Sequence, residues 1–194
     1  MSSRNSQSLF DTEGNRKYLT HNELSRFLAA AKGARPQVMT FCLVLAFTGA
    51  RLSEVLSLTA QNIDPFTQCI VFRSLKKRGE IIYRAVPVPK SLLKTLFSHH
   101  NLEDGNNIPL WPWCRTTAWS YVSVVMNDAA LFGVCATPRG LRHTFAVTAV
   151  QAGVALNMVQ KWLGHADIET TAIYANAVGS EELKIAKRVW RSLL

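Results

Sequence analysis

Residues 137 to 174 constrain this chain more than any other stretch, because helix signals punctuate them at fixed points. Thr137 followed by Pro138 is a helix start: the hydroxyl caps a free amide, and proline takes the first helical position, where no N–H is needed. Arg139 and Arg142, three residues apart, share one face near that start. Leu141, Phe145 and Ala149 fall on another stripe, which suits a core. A second helix is predicted from Ala155 to Leu163, with Leu156, Val159 and Leu163 in register. Gly164 stands where a C-cap glycine belongs and turns the chain sharply before His165. Asp167 is placed to cap a third, short helix, with Tyr174 about two turns into it. Two arginines, a histidine after a forced turn and a tyrosine on a short helix are thus gathered in one segment.

The rest of the chain reads as helices around a small sheet. Thr20 to Glu23 form a capping box, followed by Leu24, Phe27, Leu28 and Ala31 at helical spacing. A strongly apolar helix is predicted from Gln37 to Phe47. Thr48-Gly49-Ala50 interrupts it, and Arg51 opens a further run with Leu52, Val55, Leu56 and Leu58. Free amides at such a start favour an anion. Glu54, one turn on, either holds the Arg51 guanidinium or makes an ordinary surface pair with it. Cys69 to Phe72 and Ile81 to Val88 look like strands, and the basic turn between them carries Lys76, Lys77 and Arg78. Such a tip reaches a phosphate backbone or simply solvates a sheet edge. Short helices are predicted from Ser91 to His99 and from Thr116 or Thr117 onward. Trp111, Trp113 and Trp119 are able to stack on bases, but their separation from the basic clusters favours packing. The fold class is therefore α+β, mostly helical, with a small antiparallel sheet or hairpin.

Charge narrows the partners. Lys and Arg number 22 against 13 Asp and Glu, a net charge of +9. Residues 1–97 hold 14 of the basic residues and 6 of the acidic ones. That excess suits a polyanion, most simply nucleic acid. Cys42, Cys69, Cys114 and Cys135 show no metal-ligand or redox spacing and read as reduced core thiols of a cytosolic protein. Phe41 to Phe47, the longest apolar run, is too short to span a membrane. Residues 1–17 read as a polar, flexible tail. In a last helix, Leu183, Ala186, Val189, Trp190 and Leu193 form an apolar stripe that must dock somewhere.

The acidic residues are too sparse and scattered to hold a divalent metal. No glycine-rich phosphate loop and no Gly-x-Ser-x-Gly is present. What remains is cationic, and it fits phosphoryl transfer without a metal. Guanidiniums can neutralise the non-bridging oxygens of a pentacoordinate phosphate. A tyrosine can attack and hold the phosphate covalently, and a lysine can protonate the departing oxygen.

The same residues resemble the tyrosine recombinase (phage integrase) family. Thr48-Gly-Ala-Arg51-Leu-Ser-Glu54 is similar to its first arginine motif, and Leu141-Arg142-His143-Thr-Phe to its second. Leu163-Gly-His165, with Tyr174 nine residues on, is similar to its histidine and nucleophile block. Lys76-Lys77, followed by Tyr83-Arg84-Ala-Val-Pro, resembles the hairpin bearing its catalytic lysine.

The resemblance implies that residues 18–194 form the catalytic domain, with the recombinase fold. It implies that Arg51 and Arg142 clamp the scissile phosphate, that His165 hydrogen-bonds it, and that Tyr174 forms a 3′-phosphotyrosyl link. Lys76 is then the general acid, with Lys77 its rival, and Glu54 supports the site. Lys77, Arg78 and Arg84 contact DNA, and His143 is structural. No metal, nucleotide or other cofactor is implied.

Implied partners are double-stranded DNA with specific recombination sites, copies of this chain assembling on it from dimer to tetramer, and accessory DNA-bending proteins. Residues 180–194 would supply the packing between protomers. The implied location is the cytoplasm, at the nucleoid. Two departures stand out. Arg139 occupies a position where the family usually has histidine, and arginine cannot exchange a proton near neutral pH. Only about 17 residues precede the catalytic domain, as in the minimal recombinases of fimbrial switches or a shortened mobile-element copy. Two other readings share these motifs: a weak or inactive DNA-binding relative that regulates an active one, and a topoisomerase-like enzyme.

Overall fold

The capping box forms as the sequence predicts. The Thr20 hydroxyl accepts from the Glu23 amide at 3.3 Å, and the Glu23 carboxylate accepts from the Thr20 amide at 2.6 Å. Helix α1 (His21–Gly33) follows, and Pro36 opens α2 (Pro36–Thr48). The computed structural model describes residues 8–75, 81–100, 102, 107–176, 186–187 and 189–191. Along that chain come α3 (Leu52–Leu56), β1 (Ile63–Asp64), β2 (Cys69–Leu75), β3 (Ile81–Pro87) and α4 (Lys90–His99). Then follow α5 (Arg115–Asp128), α6 (Pro138–Gln151), α7 (Leu156–Leu163), α8 (Glu169–Ala172) and a 3-10 turn, Ile173–Asn176.

Helix α2 organises the core. It is apolar on every side, and such a helix must be covered on every side. Helices α1, α4 and α6 pack against it and bury Phe41, Cys42, Val44 and Leu45. The three strands form one antiparallel sheet in the order β1-β2-β3. Ile70 pairs with Val86 and Phe72 with Arg84, all four buried, while Arg73 pairs with Tyr83 on the wet face. This is the period-two alternation of a half-covered sheet. The α+β fold with a small antiparallel sheet is therefore the observed fold.

A second apolar cluster joins Leu9, Tyr18, Ala146, Val147, Val159, Leu163 and Tyr174. Helix α6 serves both clusters, giving Leu141 to the first and Ala146 and Val147 to the second. Arg142 and His143 sit between those positions, at the seam.

Several expectations are corrected here. Residues 8–17 are not a loose tail: Leu9 is 4% exposed, Phe10 bridges to Arg16, and Arg16 grips Glu23 through both terminal nitrogens at 3.0 and 3.2 Å. Leu9 is the buried anchor of this polar segment, and Phe10 beside it packs edge-on against Tyr18. Helix α5 starts at Arg115, with the Cys114 sulfur accepting from the Thr117 amide, a weaker stand-in for a hydroxyl cap. Asp167 does not cap α8 with its side chain; its backbone carbonyl accepts from the Thr170 amide instead. Helix α3 stops at Leu56, and Leu58 is buried beyond its end.

Candidate active site

Arg142 is the best buried of the cations between Thr137 and Tyr174. The N-cap hydroxyl of Thr137 accepts from the Gly140 amide at 3.0 Å and fixes where α6 begins. Arg142 then points at the C-terminal ends of two other helices. It donates to the Gly49 carbonyl after α2 and to the Leu163 carbonyl of α7, both at 2.8 Å. Both helices end in a left-handed glycine, Gly49 at φ +60° and Gly164 at φ +67°. A cation there meets the negative ends of both helix dipoles. Gly49 is doubly required, because a Cβ on it would come within 2.6 Å of the Phe145 ring. Burial, with Arg51 nearby, pushes the Arg142 pKa down to about 10, with Glu54 opposing, so it stays a cation at neutral pH. Two of its five N–H donors are occupied by the carbonyls.

Glu54 is no ordinary surface partner. Its side chain is 7% exposed and accepts from two arginines. Arg84 donates to it through both terminal nitrogens, at 3.0 and 2.6 Å. Arg51 donates at 2.9 Å, and the Arg51 backbone amide donates at 2.7 Å. That last bond is the carboxylate half of a capping box at the start of α3. The Arg51 guanidinium itself remains about half exposed.

Arg84 is a correction. It was expected on DNA, yet its side chain is 4% exposed and turned inward. Its Nε donates to the Trp162 carbonyl at 2.7 Å, and its guanidinium lies 5.0 Å over the Phe72 ring. Strand alternation places it on the buried face, where it ties β3, α3 and α7 together.

His165 leaves the Gly164 turn with Nδ1 2.9 Å from the Thr171 hydroxyl. Burial first, then Arg142 and Arg51, pushes its pKa down to about 3, so the ring is neutral. The Tyr174 ring stacks on it, 6.4 Å away and 12° from parallel. Tyr174 itself is 1% exposed, and its hydroxyl shares a 3.0 Å hydrogen bond with His143 Nδ1. Burial raises its pKa, opposed by Arg142, Arg139 and Arg51. His143 was expected to be structural; the structure sets it against the nucleophile candidate. Burial, then Arg139, Arg142 and Lys17, hold its pKa at about 4.

Arg51, Arg139, Arg142, His143, His165 and Tyr174 line one cleft of about 810 Å³. Lys17, Arg115 and Trp119 line it too, and sequence reasoning assigned none of them there. Trp111 packs as expected, 1% exposed, with its indole N–H donating to the Gln37 carbonyl at 2.9 Å. Trp119 does not: it is 50% exposed and shares the cleft with Arg115, one turn before it on α5. That spacing of four was legible in the sequence. Lys76, Lys77 and Arg78 lie outside the described residues, as does most of 180–194. Of the stripe in that last segment, Val189 and Trp190 are about half exposed.

Residues 17–180 match the model of the phage integrase family. The tyrosine recombinase XerA of Thermococcus onnurineus (strain NA1) is 29% identical over 180 residues, which cover 88% of this chain and 61% of the relative. The chain thus spans about three fifths of the length of that relative. A crystal structure of XerA recombinase superposes with a TM-score of 0.73 at 27% identity, over 90% of this chain and 65% of that one. The catalytic domain of bacteriophage HP1 integrase shares the fold, with a TM-score of 0.64 at 24% identity, over 88% of this chain and 93% of that domain.

Proposed function

Because the chain belongs to the phage integrase family, we propose that it is a tyrosine-type site-specific recombinase, which cleaves and rejoins double-stranded DNA through a 3′-phosphotyrosyl intermediate. The observation that carries this reading is the shared cleft, in which a buried Arg142, a half-exposed Arg51, a neutral His165 and Tyr174 face one volume. Arg51 and Arg142 clamp the non-bridging oxygens of the scissile phosphate and offset the charge that grows there. Glu54 holds Arg51 in place and leaves its guanidinium half open to a ligand. His165 hydrogen-bonds a phosphate oxygen through Nε2. Thr171 then donates to Nδ1, which leaves the hydrogen on Nε2. Tyr174 attacks phosphorus, and Lys76, or its neighbour Lys77, protonates the departing 5′ oxygen.

Residues 18–194 form the catalytic domain on this reading. Arg78 adds a phosphate contact beside Lys76 and Lys77. The apolar stripe from Leu183 to Leu193 docks on a neighbouring copy, so that protomers assemble on paired sites. The protein works in the cytoplasm.

A nicked suicide duplex tests the reading, because the strand fragment beyond the cut diffuses away and traps the adduct. The parent accumulates a covalent protein–DNA band; Tyr174→Phe binds the duplex and forms none. An adduct persisting in Tyr174→Phe overturns the assignment. Deleting residues 182–194 should spare binding to one site and weaken cooperative binding to two, read by gel-shift titration.

A further inference from the structure

The reading of Tyr174 as nucleophile leaves one step without an owner. Its phenol must lose a proton, and Arg139, where the family usually has histidine, cannot take one. We propose that His143 takes the phenolic proton of Tyr174 as its oxygen attacks the phosphodiester, and returns it when the strand is rejoined. This rests on the nucleophile reading and adds a catalytic residue to it.

The geometry carries the assignment. Among the described residues, His143 is the hydrogen-bond partner of the Tyr174 hydroxyl, at 3.0 Å, within reach of direct proton transfer. Both side chains lie at the wall of the cleft and are nearly buried, His143 being 6% and Tyr174 1% exposed. The far nitrogen of the imidazole is not used: Nε2 is buried with no hydrogen-bond partner among the described residues. A histidine kept for packing alone finds partners for both nitrogens, since an orphaned buried polar atom is costly. This one faces the Tyr174 hydroxyl with Nδ1 and, among the described residues, nothing with Nε2.

The proton balance follows. In the free protein the ring is neutral, with its hydrogen on Nε2 and the Nδ1 lone pair accepting the Tyr174 O–H. As the Oη–P bond forms and the bond from phosphorus to the 5′ oxygen breaks, the proton passes to Nδ1. The electron pair leaves with the 5′ oxygen, which takes its proton from the hairpin lysine. In rejoining, the 5′ hydroxyl attacks, the Oη–P bond breaks and Nδ1–H reprotonates Tyr174.

The surroundings couple this step to DNA. Arg139 and Arg142 from its own helix, Lys17 from the N-terminal turn, the neutral His165 ring and Tyr174 all face His143. The three cations oppose an imidazolium while the cleft is empty. A phosphodiester held on Arg51 and Arg142 offsets that field, so the base becomes competent when the substrate anion is in place.

The test uses a nicked duplex with a bridging sulfur at the scissile 5′ position. The thiolate leaves without a general acid, so the adduct rate reads the nucleophile side alone. Parent, His143→Gln and His143→Asn are compared from pH 6 to pH 10, with duplex affinity measured for each. At pH 7 the variants should be about 100-fold slower. Their rates should then climb with pH and close on the parent, whose own rate levels off once the base is free. Slowing by one constant factor at every pH would assign His143 a positioning role and overturn the proposal, as would parental rates at pH 7. Should neither variant fold, a parental rate that climbs through the whole range without a plateau overturns it as well. No adduct from the parent, or an adduct from Tyr174→Phe, defeats the nucleophile reading instead.

Discussion

Removing the Glu54 carboxylate, which lies behind Arg51, should cost more stability than removing the exposed charge of any cation at the cleft mouth. Arg84 donates to it twice, from a side chain only 4% exposed. In Glu54→Ala the Arg84 guanidinium cannot swing to water, because Nε stays on the Trp162 carbonyl and the planar group lies over Phe72. A buried charge left without its partner costs about 3–5 kcal/mol, against at most about 1 for an exposed pair. For a chain of this size that is a fall in Tm of roughly 6–20 °C. Urea unfolding gives the loss directly. The double variant Glu54→Leu with Arg84→Met should recover most of it, because both members of the buried pair are gone. The Arg51 guanidinium also loses its anchor, so cleavage should fall further than the lost stability explains. A loss under about 1 kcal/mol for Glu54→Ala, or single effects that simply add in the double variant, would refute the account of this carboxylate.

Three further outcomes are expected. Both site histidines have folded pKa values below the usual 6.5, about 4 for His143 and about 3 for His165, so the unfolded chain binds more protons below pH 6.5. Stability is then full above pH 6.5 and declines as pH falls through 4, and unfolding at pH 7.5 and 5.0 should show a shallower decline for His143→Gln. Arg139→His should keep or raise the adduct rate and Arg139→Ala should lower it; equal rates for Ala and parent would make that position structural. Trp119→Ala should weaken duplex binding with little change in Tm, since the ring is half exposed at the cleft, and a large Tm loss with intact binding would return it to packing.

The segment from Thr137 to Tyr174 was legible because helix caps, a left-handed glycine and apolar spacing are local signals. Arg51 with Glu54, and Arg142 with His165, followed from that punctuation and from the family resemblance. Arg84 was misread although the signal was there: Ile82, Arg84 and Val86 alternate onto one face, and the neighbouring strand shows that face to be buried. The bond from His143 to Tyr174 had no such signal. It depends on how the last 3-10 turn seats against α6, a contact between residues 31 apart. The anchoring of Leu9 is likewise a tertiary matter, since two apolar residues, Leu9 and Phe10, in a polar stretch predict nothing until their pocket exists. Cys114 hid the start of α5 because sulfur is a weak acceptor and a rare cap.

The central claim is that one hydroxyl, that of Tyr174, becomes bonded to DNA. Trapping the parent on a nicked duplex, digesting the complex with protease and nuclease, and mapping the modified peptide by mass spectrometry tests it most directly. The account predicts a 3′-linked nucleotide on the peptide that contains Tyr174, and none on those of Tyr18, Tyr83 or Tyr121. A nucleotide on any of those three, or a duplex that is bound and never attached, would contradict it.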